Sequence, residues 1–300
     1  MNLSIIIVHY KNQELLKLCL KSIKNNLMDK SINPETLETI VIDSQAQAET
    51  EELISENFNW VKYFPFKQNI GYAAGVNQGL KTAQQKNILI LNPDIIITPG
   101  SVEKMIAHLE SNSAVGLLGP KLLNFNGQTQ NSCFRFYKPA TVIYRRTFLG
   151  KTFPGKRELA KFNLSDADKN SLIYPDWLMG SALLTTKKAV EKVGLMDERF
   201  KLYFEDVDWA KRFWENGYKV VYFPESFLLH YHIRRSKAGL GFLDVFLRKE
   251  TRWHIQSAIK YFFKHGLKYG SGIELLKANL RECLFFESDS SPTSFKGDIL

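Results

Sequence analysis

The sequence predicts an α/β fold, a doubly wound and mostly parallel sheet with a C-terminal helical appendage. Three observations carry that reading. Over the first hundred residues, continuous apolar runs alternate with amphipathic stretches, the pattern of strands covered by helices. The polar residues His9, Asp43, Gln68, Asn69, Asn92 and Asp94 follow or end those runs, which places them along one edge of such a sheet, where doubly wound folds bind ligands. With 44% apolar and 13% aromatic residues, the 300-residue chain can fill the core of a large domain and still carry an appendage.

Taken in order, LSIIIVHY reads as a buried strand, and NQELLKLCLKSIKNN as a helix with Leu15, Leu16, Cys19, Leu20 and Ile23 on one face. LETIVID is the second strand and ETEELISEN the next helix. WVKYFPF is the third strand, GYAAGVNQGLKTAQQ a helix, and NILILNPD a fourth strand stopped by Pro93. SVEKMIAHLESN is a helix, with Ser101 expected as its cap. Between about residues 120 and 175 the pattern loosens into what reads as a mobile segment, rich in Arg, Lys and aromatics and poor in carboxylates. Order returns with WLMGSALLTTKKAVEKVG, a strand running into a helix. YKVVYFP is then a strand that follows a helix ended by Gly217 and stops near Pro224.

The charge balance of +9 favours polyanionic partners such as phosphates, anionic lipid or nucleic acid. No nucleic-acid-binding module accompanies it, so nucleic acid is the weakest of the three. Cys19, Cys133 and Cys283 are odd in number and widely spaced, with no C-x-x-C pattern, so neither a disulfide frame nor a cysteine metal site is expected. The chain opens on an apolar strand with no basic leader and no spanning run, and is read as cytoplasmic.

Four constellations carry chemistry. In LNPD, Asp94 lies just past a strand end. It is placed either to reach a cation bridging two phosphates or to close an Asx turn. In NIGYAAGVNQG, Gly71, Gly75 and Gly79 share one helix face, so the backbone can approach the sheet or a ligand, and Asn69 can cap the helix or touch a nucleotide sugar. In YFEDVDW, Val207, Ala210, Phe213 and Trp214 mark the buried stripe of a helix. Glu205 and Asp208 share a flank, and Asp206 points about 100° from Glu205. Acids at a helix start gain about 0.3–1 kcal/mol each from the dipole, which accounts for one or two of the three; Asp206 as a general base is the other reading. In FLLHYHIRRS, His230 and His232 fall on the same side of an extended chain, as structural residues or as ligands.

The ordered set SIIIVHYKN, VID, NIGYAAGVNQG, LNPD, DWLMGSALL, GLMDERFKLYFEDVDWAKR, GYKVVYFP and HYHIRRS resembles a family 2 glycosyltransferase, and within it the rhamnosyltransferase-like branch of cell-surface polysaccharide synthesis. The resemblance spans roughly residues 1–236. It implies a GT-A fold, a nucleotide-diphosphate sugar donor, a divalent cation (manganese or magnesium) and a single-displacement inverting transfer to a glycan or lipid-linked acceptor. On this chain it implies that His9, Asp43, Asn69, Gly75, Asn92 and Asp94 surround the donor, with Asp94 and His230 holding the metal. Asp206 is then the catalytic base with Glu205 as its helper, and Asp176, Trp177 and Gly180 line the acceptor site. Two departures alter the expectation. The loop after the second strand reads Asp43-Ser44-Gln45-Ala46-Gln47-Ala48 where the family has Asp-Asn-x-Ser-x-Asp, and Asn92 stands at the first position of the D-x-D element, which leaves fewer charges on the cation.

The expected organisation is a catalytic domain over 1–236, a basic amphipathic helical appendage over 237–282 and a flexible tail over 283–300. The appendage mixes Phe242, Phe246, Trp253, Phe262 and Phe263 with Arg and Lys. That suits either peripheral contact with the inner membrane face or packing on the catalytic domain. Two rival readings are a nucleotidyltransferase, against which VHYKNQELL lacks a glycine-rich phosphate loop, and a non-catalytic sugar-nucleotide-binding module, against which Asp94, Asp206 and His230 are all present.

Overall fold

Leu3–His9 is buried along its whole length, and this run of consecutive apolar residues forms strand β1 near the centre of the sheet. The computed structural model describes residues 1–28, 34–200, 202–231, 249–266 and 270–277. After β1 come α1 (Gln13–Ile23), β2 (Leu37–Ser44), α2 (Ala48–Asn57), β3 (Lys62–Phe66), α3 (Tyr72–Thr82) and β4 (Asn87–Leu91). Then follow the short β5 (Ile95–Ile96), α4 (Ser101–Ser111) and β6 (Val115–Leu123). A two-stranded ribbon of β7 (Cys133–Phe134) and β8 (Trp177–Leu178) brackets α5 (Pro139–Arg146) and α6 (Phe153–Phe162). The chain returns to the sheet through β9 (Ala182–Thr186), α7 (Lys187–Val193), α8 (Glu205–Glu215) and β10 (Lys219–His230), and α9 (Lys249–His265) follows.

The eight-stranded sheet has the order β3-β2-β1-β4-β9-β6-β10-β5. The pairs β3/β2, β2/β1, β1/β4 and β6/β10 are parallel, while β9 runs antiparallel to both neighbours and β5 antiparallel to β10. The register sets His9 directly beside Asp43 at the carboxyl ends of β1 and β2. Alternation along β1 divides the core between two layers. Ile6 and Val8 pack with Val76, Ala210 and Phe213 on one face, and Ile5 and Ile7 with Leu16, Leu20 and Met105 on the other.

Local chemistry explains the helix starts, with two corrections. Asn12 caps α1 by accepting from the Leu15 amide. Ser101 is not the cap of α4: Gly100, at φ +74°, holds that position, and the Ser101 hydroxyl donates to the Thr98 carbonyl. The glycines of α3 face the sheet rather than a ligand, since a Cβ on Gly79 would lie 2.3 Å from Ile6 Cγ2 and one on Gly75 2.7 Å from Val8 Cγ1.

Two further expectations change. The segment 120–175 is built from short helices around a cluster in which Phe134 stacks on Trp177 at 4.4 Å and Tyr137 lies 4.6 Å from Phe162. Its aromatics meet across elements, so no single-helix period shows in the sequence. Strand β10 does not stop at Pro224 but runs to His230, absorbing the proline in a register shift between Phe223 and Phe227. Helix α9 buries Ala258 and Tyr261, donates from Ser257 to the Leu202 carbonyl, and pairs Lys264 and His265 with Asp208. His232, residues 237–248, Cys283 and the expected tail 283–300 lie outside the described residues, among which no helix is long and apolar enough to cross a membrane.

Candidate active site

At the end of β1, His9 Nδ1 lies 3.0 Å from Asp43 Oδ1, and the Tyr63 hydroxyl donates to Asp43 Oδ2 at 2.7 Å. The Asn12 amide donates to His9 Nε2, so the ring proton sits on Nδ1, toward the carboxylate. Both side chains are buried. Asn69 is exposed and braces its own loop: its Oδ1 accepts from the Ser44 hydroxyl and the Gly71 amide, which sets the entry of α3.

Asp94 and His230 come together across β5 and the end of β10, where the Tyr231 amide donates to the Asp94 carbonyl. The carboxylate Oδ1 and His230 Nε2 are 3.4 Å apart. Gln130 decides what that ring nitrogen presents. Its amide NH2 donates to Asn124 Oδ1 (2.7 Å) and to the His230 carbonyl (2.9 Å), which leaves its oxygen as the acceptor 2.7 Å from His230 Nδ1. In the neutral imidazole the proton is thus on Nδ1 and the Nε2 lone pair faces Asp94, whose Oδ1 is buried with no hydrogen bond among the described residues. Two electron-rich atoms at that distance suit a divalent cation, and the Gln130 contact is the outer partner a ligating histidine uses. Among the described residues no third His, Cys, Asp or Glu joins them. A hard cation held by one or two protein groups and completed by substrate phosphates is ordinary coordination. Asn92 stays in the sheet, its amide donating to the Ser181 carbonyl at 2.9 Å.

The acids of α8 separate by function. Asp208 is fully buried and tied to Arg212 (3.0 Å), Lys264 (2.7 Å) and His265 (2.7 Å). Burial alone would raise its pKa, but the hydrogen bond from His265 and the charges of Arg212 and Lys264 outweigh it and hold the carboxyl below its ordinary range. Asp206 turns the other way: it accepts from the Gly180 amide at 3.1 Å and from the Val207 amide at 2.9 Å. Burial pushes it up to about 6 against those amides. Glu205 beside it is raised by burial and by Asp206, and its Oε2 has no hydrogen bond among the described residues. The Tyr72 hydroxyl donates to the Gly180 carbonyl, so one residue, through the two peptide groups flanking its Cα, joins it to Asp206. Its own proton is held by burial and by the fields of Glu205, Asp206 and Asp94.

Two of the expected acceptor residues are placed otherwise. Asp176 is buried, with its oxygens taken by the Phe136 amide (2.8 Å), the Gly272 amide (2.9 Å) and Arg135 (3.3 Å). Trp177 is buried in the aromatic cluster and donates to the Arg135 carbonyl. Both brace the structure beneath the site. Gly180 acts through its backbone, orienting Asp206 and Tyr72. The residues of the candidate site that pattern alone missed are Tyr72 and Gln130; the first sits inside a motif already singled out, and the second carries no local signal.

Backbone strain concentrates here. Lys11 (φ +57°), Gln45 (φ +81°), Tyr203 (φ +67°) and Phe204 (φ +71°) adopt left-handed conformations at the exits of β1 and β2 and at the entry to α8. A cavity of about 490 Å³ opens beside Asp94, lined by Asn12, Leu15, Leu18, Phe125 and Tyr231. A second of about 420 Å³ shares Asn12 and Glu14 with it and reaches Lys11, Gln47 and Glu49. Together they form a trough along the carboxyl edge of the sheet.

Comparison with known proteins bears on the family and the fold. The family model described as Glycosyl transferase family 2 matches residues 4–160. A low-salt glycan biosynthesis hexosyltransferase of Haloferax volcanii is 25% identical over 70% of this chain and 61% of its own length. An N-acetylglucosaminyl-diphospho-decaprenol L-rhamnosyltransferase of Mycobacterium tuberculosis is 24% identical over 64% and 66%. The rhamnosyltransferase WbbL of Escherichia coli is 26% identical over 66% and 69%. The chain thus spans somewhat under two thirds of the length of the first two relatives. Among solved structures, GalNAc-T7 with UDP, GalNAc and Mn2+ superposes with TM-score 0.58 at 16% identity over 98% of this chain and 56% of that one. A mannosyltransferase of Pyrobaculum calidifontis with GDP-Man and Mn2+ gives 0.52 at 13% over 96% and 82%. At these identities the likeness is one of fold, and it is the GT-A fold.

Proposed function

Because the chain belongs to glycosyl transferase family 2, we propose that it is a metal-dependent, inverting hexosyltransferase. It moves a sugar, with rhamnose the first candidate, from a nucleotide-diphosphate donor to a hydroxyl of a glycan or lipid-linked acceptor in cell-surface polysaccharide synthesis. The observation that carries this reading is the buried Asp94 Oδ1, without a hydrogen bond among the described residues, 3.4 Å from His230 Nε2. The names of similar proteins support the sugar class and the glycan setting, and the nucleotides and Mn2+ in two structures of like fold support the donor and the cation.

The donor lies in the trough along the strand ends, with its nucleotide toward His9 and Asp43 and its diphosphate toward Asp94. Asp94 and His230 would hold a divalent cation, which would supply charge neutralisation at the diphosphate. Asp206, kept in place by the Gly180 and Val207 amides, takes the proton of the acceptor hydroxyl as its oxygen bonds to the anomeric carbon and the bond to the diphosphate breaks. A carboxylate raised to about 6 is still ionised at neutral pH and is a better base than an ordinary one. Glu205, beside it in the first turn of α8, positions the acceptor hydroxyl. Outside the trough, α9 turns Trp253, Ile259 and Phe263 outward, which supports peripheral contact of this helix with the inner membrane face.

The test is a thermal-shift panel of nucleotide sugars with and without manganese. A bound donor at about 100 times its Kd adds roughly 2.7 kcal/mol. Stabilisation by a nucleotide-diphosphate sugar that needs the metal is the expected result; none from any donor overturns the assignment.

A further inference from the structure

The segment 138–161 holds seven Lys or Arg residues and a single carboxylate, Glu158, so two thirds of the chain's net +9 arises there. In the fold it is a hairpin of α5 and α6 joined by a tight turn over Phe148–Lys151. Its inner side is anchored: Phe162 is buried, and Thr141 donates to Glu158 across the two helices. A Cβ on Gly155 would lie 2.2 Å from the Leu149 carbonyl oxygen, so the turn folds back on the start of α6 and its larger side chains are thrown outward. Phe148 is 73% exposed and Phe153 82% exposed, with Ile143 and Leu149 beside them. Lys151, Lys156, Arg157 and Lys161 are exposed and make no ion pair among the described residues.

Phenyl groups held in water beside unpaired cations fit the boundary between anionic headgroups and acyl chains. A second copy of the chain would bring like charge against like charge, which disfavours it as the occupant. At its C-terminal end, next to the turn, α5 sends Arg145 back against the Tyr137 and Phe162 rings, and the Tyr137 ring lies 4.6 Å from that of Phe204, two residues before Asp206. The eight residues of α5 span about 12 Å. One short helix therefore joins the exposed tip to the neighbourhood of the base.

We propose that the α5–α6 hairpin is a membrane-docking wedge: Phe148 and Phe153 enter an anionic leaflet while Lys151, Lys156, Arg157 and Lys161 hold its headgroups, and α5 sets Asp206 at the height of a lipid-linked acceptor. The acceptor clause rests on the function proposed above, whereas the docking itself does not.

The test is co-sedimentation of the full chain with phosphatidylcholine vesicles, with and without phosphatidylglycerol, for the wild type and for Phe148→Ser/Phe153→Ser and Lys151→Glu/Lys156→Glu. The wild type pellets with phosphatidylglycerol vesicles and not with phosphatidylcholine alone, and each double variant binds about tenfold more weakly. Both variants keep the wild-type melting temperature and the wild-type transfer rate to a water-soluble acceptor. A variant that pellets like the wild type, a wild type that ignores both vesicles, or self-association of the wild type abolished by the same substitutions overturns the proposal. If no nucleotide sugar yields transfer, the function fails while the sedimentation result still decides the wedge.

Discussion

At Asp206 two influences oppose one another: burial favours the neutral acid, and the Gly180 and Val207 amides favour the ion. Burial wins, so kcat/KM should rise with pH through about 6 as the base loses its proton. Asp206→Asn should lower kcat by about 100- to 10,000-fold with donor affinity kept; unchanged turnover would remove Asp206 from its role. The stability effect has the opposite sign. A carboxyl raised in the folded state stabilises fully below its ordinary pKa of 3.8, and that contribution is lost as pH rises through about 6. The asparagine variant should therefore melt about 2–4 °C higher than the wild type at pH 8 and no higher at pH 3. Gln130 is testable separately. If it holds the His230 ring with Nε2 toward Asp94, Gln130→Leu should weaken Mn2+ binding by about 10- to 100-fold, read by metal titration without any turnover assay.

Among the elements, α3 owes its position to contact that only hydrogen side chains allow. Gly79→Ala would press a methyl to 2.3 Å from Ile6 Cγ2 and should cost about 1–3 kcal/mol in a denaturant titration. A change within error would mean that α3 lies further from β1 than described here. Helix α8 is held at both ends of its first turn. Phe204 is gripped in a left-handed conformation by Tyr137 (4.6 Å), His254 (5.3 Å) and Tyr261 (5.3 Å), while Asp208 anchors Lys264 and His265 of α9. Removing that buried charge strands its partners, so Asp208→Asn should destabilise by roughly 3 kcal/mol. Because the Asp208 carboxyl is held below its ordinary range, this stabilisation is present above the unfolded pKa of 3.8 and is lost as pH falls through the lower folded value.

For the molecule as a whole, the residues beyond 236 close the back of the site. The Gly272 amide reaches Asp176, and α9 covers the strained entry to α8. A chain ending at residue 236 should melt at least several degrees lower and lose protection of α8 from proteolysis; equal melting would make the catalytic part independent of its appendage. The mostly parallel sheet, the helices over its first hundred residues and the meeting of Asp94 with His230 were legible from sequence. Those signals are local: apolar runs for buried strands, 3.6-residue periods for helices, and polar residues where a strand leaves the sheet. The hairpin over 138–161 and the structural use of Asp176, Trp177 and Asp208 were not legible, because each depends on partners far along the chain. By itself, the sequence determined which residues are buried in strands and which acids stand at the start of α8. Only the tertiary structure decided that Asp208 faces α9 while Asp206 faces Gly180, and that Gln130 turns His230 toward Asp94, since a side chain's partner is set by which segments pack beside it and not by its neighbours in the chain.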